Sequence, residues 1–145
     1  MQIRVANSAD VSAIVAIEKQ CETAAHWSHE QYERAIADPN RAVLVLGDES
    51  VEGFLVARQV AQEWELENIV VAPAMRGRGF GSLLMQQFLA HAKASRAETI
   101  FLEVRESNTA ARGLYEKFGF VESGVRRGYY SSPTEDAVTY QLKLA

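Results

Sequence analysis

The stretch from Ile69 to Leu84, Ile-Val-Val-Ala-Pro-Ala-Met-Arg-Gly-Arg-Gly-Phe-Gly-Ser-Leu-Leu, constrains the fold more than any other part of the chain. Ile69, Val70 and Val71 are β-branched and favour a strand. Pro73 ends it, because proline has no N–H to give to a ladder. Gly77, Gly79 and Gly81 then fall at alternate positions. Beyond them Phe80, Leu83, Leu84, Phe88 and Leu89 recur at helical spacing, which predicts a helix over 79–94. A glycine turn that opens a helix is an anion site. The first N–H groups have no intrahelical partner, and the dipole places about half a positive charge there. No Lys-Ser/Thr pair follows the last glycine, and the spacing is not Gly-x-Gly-x-x-Gly, so neither common nucleotide loop is present.

The rest of the chain alternates strands and helices. Strands are predicted at 2–5, 41–46, 51–59, 62–71, 99–104, 120–125 and 137–144. Ser8 is placed as the cap of a helix running to about Cys21, and Ser28 with Gln31 forms a capping box for a helix over 29–37. A helix over about 108–118 ends at Gly119. Tyr129, Tyr130 and Pro133 fall in the polar loop between the last two strands. The reading is α/β: a mixed sheet of about seven strands with helices on both faces, forming one domain over 1–145. In the fourth strand Trp64 and Leu66 share one parity, and Ile69 and Val71 the other. A shift of face within a strand is what a bulge produces, and it is predicted between Glu67 and Ile69.

Composition narrows the partners. A net charge of −4 argues against a general nucleic-acid binder. No apolar run approaches the roughly 18 residues of a membrane span, and no basic-then-apolar leader is visible, so a cytoplasmic location is expected. Cys21 is the only cysteine, placed in the first helix and remote from the cleft, and His26, His29 and His91 lack metal-ligand spacing, so no metal is expected.

Arg76-x-x-Gly79-x-Gly81 after a strand resembles the pyrophosphate-binding motif of the GNAT N-acetyltransferase superfamily. The order of elements is similar to that fold over essentially the whole chain. Leu-Glu103-Val-Arg-Glu-Ser-Asn108, then Ala-Arg-Gly-Leu-Tyr115-Glu-Lys-Phe-Gly-Phe, then Arg-Arg-Gly-Tyr129-Tyr130, is similar to the RimI family, bacterial enzymes that acetylate the N-terminal alanine of a ribosomal protein. His26-Trp27-Ser28 resembles the Pro-Trp-Ser segment of that family and departs from it at His26. The resemblance implies acetyl-coenzyme A (acetyl-CoA) as cosubstrate, held in a gap where the fourth and fifth strands splay. It implies Glu103 as general base and Tyr115 as general acid. Ile69, Val70 and Val71 would contact the acetyl and pantetheine part. Arg76, Gly77, Arg78, Gly79, Phe80, Gly81 and Ser82 would take the pyrophosphate, with Asn108 also on the cofactor. Trp27, Tyr129 and Tyr130 would line the peptide side.

The residues alone support the same chemistry more generally. Asn108 and Tyr115 are seven apart, about two helical turns, so they share a face, and Glu103 ends the preceding strand. With Cys21 placed away from the cleft, direct attack by the amine in a ternary complex is the simpler route. An α-amine, with a pKa of about 7.7–8.0 against about 10.4 for lysine, is a few hundredfold more available in neutral form near pH 7. That favours a protein N-terminus over a lysine; the Tyr129-Tyr130 loop argues against a small amine, and the resemblance implies that the terminus belongs to a ribosomal protein. A non-catalytic acetyl-CoA sensor is the remaining alternative. A monomer or weak oligomer is expected.

Overall fold

A computed structural model describes residues 1–21 and 26–144. Among them are seven strands: β1 (Ile3–Val5), β2 (Arg41–Leu46), β3 (Gly53–Val60), β4 (Glu63–Val71), β5 (Thr99–Arg105), β6 (Val121–Tyr130) and β7 (Glu135–Lys143). The α-helices among them are α1 (Val11–Lys19), α2 (His29–Ala37), α3 (Phe80–Ala94) and α4 (Thr109–Lys117). The strands form one mixed sheet in the order β1-β2-β3-β4-β5-β7-β6. All neighbours are antiparallel except β4 and β5, which are parallel and joined through α3.

Each face of the sheet carries its own core. On one side α3 sets Leu84, Met85, Phe88 and Ala92 against Trp64, Leu66, Ile100 and Leu102, and Tyr115 of α4 joins them. On the other, α1 and α2 set Val11, Ile14, Ile17, Tyr32 and Ala35 against Val43, Val45, Phe54, Val56 and Val70. Leu83, expected on the inner face of α3, is 38% exposed instead. The inner face passes through Leu84 and Met85, one helical step round.

The slipped alternation of β4 is a bulge. Val56 of β3 pairs with Asn68, and the next residue, Ala57, pairs with Leu66, so Glu67 is the extra residue. The bulge turns the strand over. Trp64, Leu66, Ile69 and Val71 all meet the α3 side, and Asn68 and Val70 turn to the α1–α2 side. A buried hydrogen bond fixes this turn: Asn68 Nδ2 donates to the Tyr32 hydroxyl at 3.1 Å.

Three local expectations are corrected. Asn7, not Ser8, caps the first helical segment; its side chain accepts from Ala9, and Asp10 closes the capping box over a short 3₁₀ turn, Ser8–Asp10. Both residue types cap well, so the sequence pattern alone did not separate them. Helix α1 ends at Lys19, so Cys21 lies beyond it. Tyr129 and Tyr130 belong to β6, which runs on past Gly128 through an irregular register between Arg126 and Tyr130. Gly128 has a φ of +60°, a local kink that left the strand's continuation unreadable.

Candidate active site

The parallel pairing of β4 with β5 runs from Glu63 opposite Thr99 to Leu66 opposite Leu102 and stops there. It stops at the bulge residue Glu67. Both strands continue unpaired with one another, β4 to Val71 and β5 to Arg105, so the sheet opens into a fork. Two cavities lie along it and share Ile69, Asn108 and Ala111 in their walls.

The larger cavity, about 700 Å³, gathers Trp27, Ile69, Glu103, Asn108, Tyr115, Tyr129 and Tyr130. Glu103 reaches it because alternate residues of β5 point to opposite faces: Leu102 and Val104 are buried in the core and Glu103 turns away from it. Its side chain is 19% exposed and pairs with Arg126 Nε at 3.3 Å. Arg126 also stacks on Tyr129, with 5.2 Å between guanidinium carbon and ring centroid. The Glu103 carboxylate, followed by burial, raises the Tyr129 hydroxyl above the usual phenol range.

Tyr115 is held by packing. Its ring lies 5.9 Å from Phe120 and 6.1 Å from Tyr140, centroid to centroid, and the residue is 6% exposed. Burial, and secondarily Tyr130, raise its hydroxyl well above the usual phenol range. It therefore keeps its proton across the whole physiological range and faces the cavity as a donor. Tyr130 is pushed up to about 12, by burial first and the Glu103 charge second. Asn108 is the N-cap of α4, its Oδ1 accepting from the Ala111 N–H at 3.2 Å.

Trp27 belongs to both core and cavity. It packs 5.3 Å from the Tyr32 ring, and Arg41 covers it at 5.8 Å. Next to it His26 has a φ of +55°, which proline cannot adopt. The departure from the Pro-Trp-Ser pattern thus changes the backbone at the entrance as well as the side chain.

The second cavity, about 350 Å³, is lined by Ile69, Val70, Val71, Arg76, Gly77, Gly79, Phe80, Gly81 and Asn108 of the sequence-assigned set. Gly77 and Gly79 have φ of +77° and +82°, and a Cβ on either would meet nothing within 4 Å. Gly79 is the N-cap of α3, and no side chain caps that helix. An open left-handed turn before an uncapped helix suits a phosphate, and the apolar wall of Ile69, Val70 and Val71 suits an aliphatic arm. A pantetheine-pyrophosphate cofactor fits these features. Gly81 differs from the other two: its Cβ would stand 3.4 Å from Leu114 Cδ2, so it serves the close approach of α3 to α4. Arg78 and Ser82 lie outside both linings, and the Ser82 hydroxyl accepts from Lys117 Nζ at 3.1 Å.

Cys21, expected away from the cleft, is on the wall of this second cavity. It is buried, and Arg76 Nη2 donates to its Sγ at 3.1 Å. The two residues are 55 apart in sequence, so no local pattern could pair them. Cys21 does not line the cavity that holds Glu103. Sequence reasoning also missed Glu65, Glu67 and Asn68 of the bulged strand and Arg105 of β5, all of which line the larger cavity. Glu65 is raised above the usual carboxylate range by burial first, with Glu67 and Glu103 adding like charge. The bulge was the available signal for the three β4 residues.

A fork in a mixed sheet, with a phosphate-type turn on one side and a carboxylate and a buried tyrosine on the other, defines an acyl-coenzyme A N-acyltransferase. The sequence model of the Acetyltransferase (GNAT) family matches residues 11–120, and the chain belongs to that family. It is an N-acetyltransferase with acetyl-CoA as donor. Among its relatives, the ribosomal protein bS18-alanine N-acetyltransferase of Salmonella typhimurium is 30% identical over 145 residues, 99% of this chain and 97% of that one. The enzyme of the same name from Haemophilus influenzae is 39% identical over 103 residues, 69% of this chain and 70% of that one. The crystal structure of the ribosomal-protein-S18-alanine N-acetyltransferase from Escherichia coli superposes with a TM-score of 0.89 at 28% identity, covering 99% of this chain and 94% of that one.

Proposed function

We propose that residues 1–145 act as one domain that acetylates the N-terminal α-amine of a protein, by direct attack in a ternary complex. One observation carries this reading: Glu103 and Tyr115 open on one cavity, with Asn108 between it and the Gly-rich cavity. Acetyl-CoA supplies the thioester acyl group. Ile69, Val70 and Val71 border its acyl arm, Asn108 bonds it, and the open turn at Gly77 and Gly79 beside Arg76 receives its pyrophosphate. Glu103 takes the proton of the α-amine, directly or through water. Tyr115 gives its proton to the sulfur that leaves. Burial disfavours the thiolate as well as the phenolate, so the raised Tyr115 hydroxyl is matched to a sulfur whose own proton affinity rises in the same dry site. Cys21 shares no cavity with Glu103, which supports transfer without an acetyl-cysteine step.

Trp27, Tyr129 and Tyr130 form the acceptor side, open and partly aromatic as a peptide terminus requires. Two relatives named for the alanine of ribosomal protein bS18 make that protein the leading acceptor. A ribosomal acceptor, made in the cytoplasm, would have the enzyme act there. Among the described residues no helix is long and apolar enough to cross a membrane. The test is turnover with acetyl-CoA on peptides that differ in their first two residues, against a polyamine at equal concentration. Peptides beginning with Ala-Arg are expected to release thiol fastest. Faster release with the polyamine would move the assignment to a small-amine acetyltransferase.

A further inference from the structure

Arg105 is the last residue of β5, two beyond Glu103 and on the same face of the strand. Its side chain is 13% exposed, and the two proton transfers make no use of it. Among the described residues, the partners of its guanidinium lie in the segment 130–135, where β6 turns into β7. Nη1 donates to the Pro133 carbonyl at 3.0 Å and stands 3.2 Å from Glu135 Oε1. Nη2 donates to the Ser131 carbonyl at 3.1 Å. The guanidinium carbon sits 4.5 Å from the Tyr130 ring centroid. Glu135 Oε2 in turn accepts from the Ser107 N–H at 2.6 Å, one residue before Asn108.

Beyond these bonds the segment is held by the pairing of Tyr130 with Glu135, the Gly128 N–H donating to Asp136 Oδ1 at 2.8 Å and the edge-on contact of Tyr130 with Tyr129, none of which reaches the residues 131–133 that Arg105 bonds. β6 is exposed from Val121 to Tyr129, and its register against β7 breaks between Arg126 and Tyr130. Tyr130 nonetheless lines the cavity beside Glu103. We infer that Arg105 is a positioning residue for the acceptor: it fixes Tyr130 and the turn at 131–133 across the mouth of the Glu103 cavity, and so sets acceptor binding without contacting the cofactor turn. This rests on the acceptor side proposed above. The task requires arginine. A planar fork can bond two carbonyls and a carboxylate while stacking on a ring; an ammonium cannot do all of these at once.

The test uses the full chain with Arg105→Lys and Arg105→Met. Kinetics are measured with an Ala-Arg peptide and acetyl-CoA, and amide hydrogen exchange is followed over residues 128–134. Both variants are expected to raise the peptide KM about tenfold while the acetyl-CoA KM stays within about twofold. Exchange over 128–134 is expected to accelerate in both. Glu135→Gln, which leaves Arg105 in place and removes the charge it pairs with, gives a smaller change in the same direction and serves if Arg105→Met does not fold. An unchanged peptide KM in a folded variant overturns the inference. So does a parallel rise in the acetyl-CoA KM, or a lysine variant that matches the parent protein. If the parent acetylates no peptide N-terminus, the proposed function fails instead, and the exchange measurement alone decides the positioning role: faster exchange upholds it, unchanged exchange overturns it.

Discussion

Replacing Gly79 by alanine separates the two tasks of the Gly-rich turn. Gly79 has a φ of +82° and a ψ of 11°, the left-handed region, at the N-cap of α3. A side chain there costs about 1–2 kcal/mol in backbone strain. In a chain of this size that lowers the melting midpoint by about 3–6 °C. There is no steric term, because a Cβ at Gly79 meets nothing within 4 Å. The open space is where a pyrophosphate would approach the backbone. A methyl group in its path removes one charge-assisted hydrogen bond, about 1.5–3 kcal/mol, or roughly a tenfold to 150-fold weaker acetyl-CoA complex. Gly81→Ala is the control. Its Cβ stands 3.4 Å from Leu114 Cδ2, and alanine is the better helix former by about 1 kcal/mol. It is expected to leave cofactor affinity within about threefold of the parent, well under the loss of one charge-assisted hydrogen bond. Calorimetric titration with acetyl-CoA and a thermal melt on each variant give both numbers. Unchanged affinity in Gly79→Ala, or a larger loss in Gly81→Ala, would refute the assignment of this turn to the pyrophosphate.

Three further outcomes follow from the site and the core. Tyr115→Phe keeps the ring packed against Phe120 and Tyr140 and removes only the hydroxyl, so steady-state kinetics should show kcat falling about 10²-fold or more with the acetyl-CoA KM and the melting midpoint nearly unchanged. Glu103→Gln should lower turnover on a peptide by about 10²–10⁴-fold while calorimetry shows the cofactor still bound. Glu18 is buried at the end of α1, facing Tyr32 and His26, and burial holds its carboxyl above the ordinary value of 4.5. The native state then binds more protons than the unfolded chain as pH rises past that value, so this group makes stability fall toward neutrality. Glu18→Gln should flatten the fall above pH 4.5 in denaturant titrations; a steeper fall would contradict the sign.

Much of the site was legible because it is carried by local pattern. The slip between Leu66 and Ile69 placed a bulge within 67–69, since a strand has a period of two and any slip changes face, and the register against β3 puts the extra residue at Glu67. Three alternating glycines marked the turn, although only the structure shows that Gly77 and Gly79 serve it by their backbone and Gly81 by its contact with Leu114. Glu103, Asn108 and Tyr115 converge because strand period and helix turn fix their directions. What was not legible depends on contacts across the sheet. Arg76 meets Cys21, Arg126 meets Glu103, and Arg105 meets the turn at 131–133, each over more than 20 residues of chain. Asn68 was read only as part of a bulge, and its bond to Tyr32 shows what fixes that bulge in place.

Transfer of an acetyl group to an α-amine at the fork between β4 and β5 is tested by locating the product. The protein is incubated with acetyl-CoA and a peptide that begins Ala-Arg and carries one internal lysine, and the acetylated atom is identified by fragment mass spectrometry. Acetylation of the α-amine is expected, and its loss in Glu103→Gln. Acetylation of the lysine, or of neither amine, would contradict the α-amine assignment.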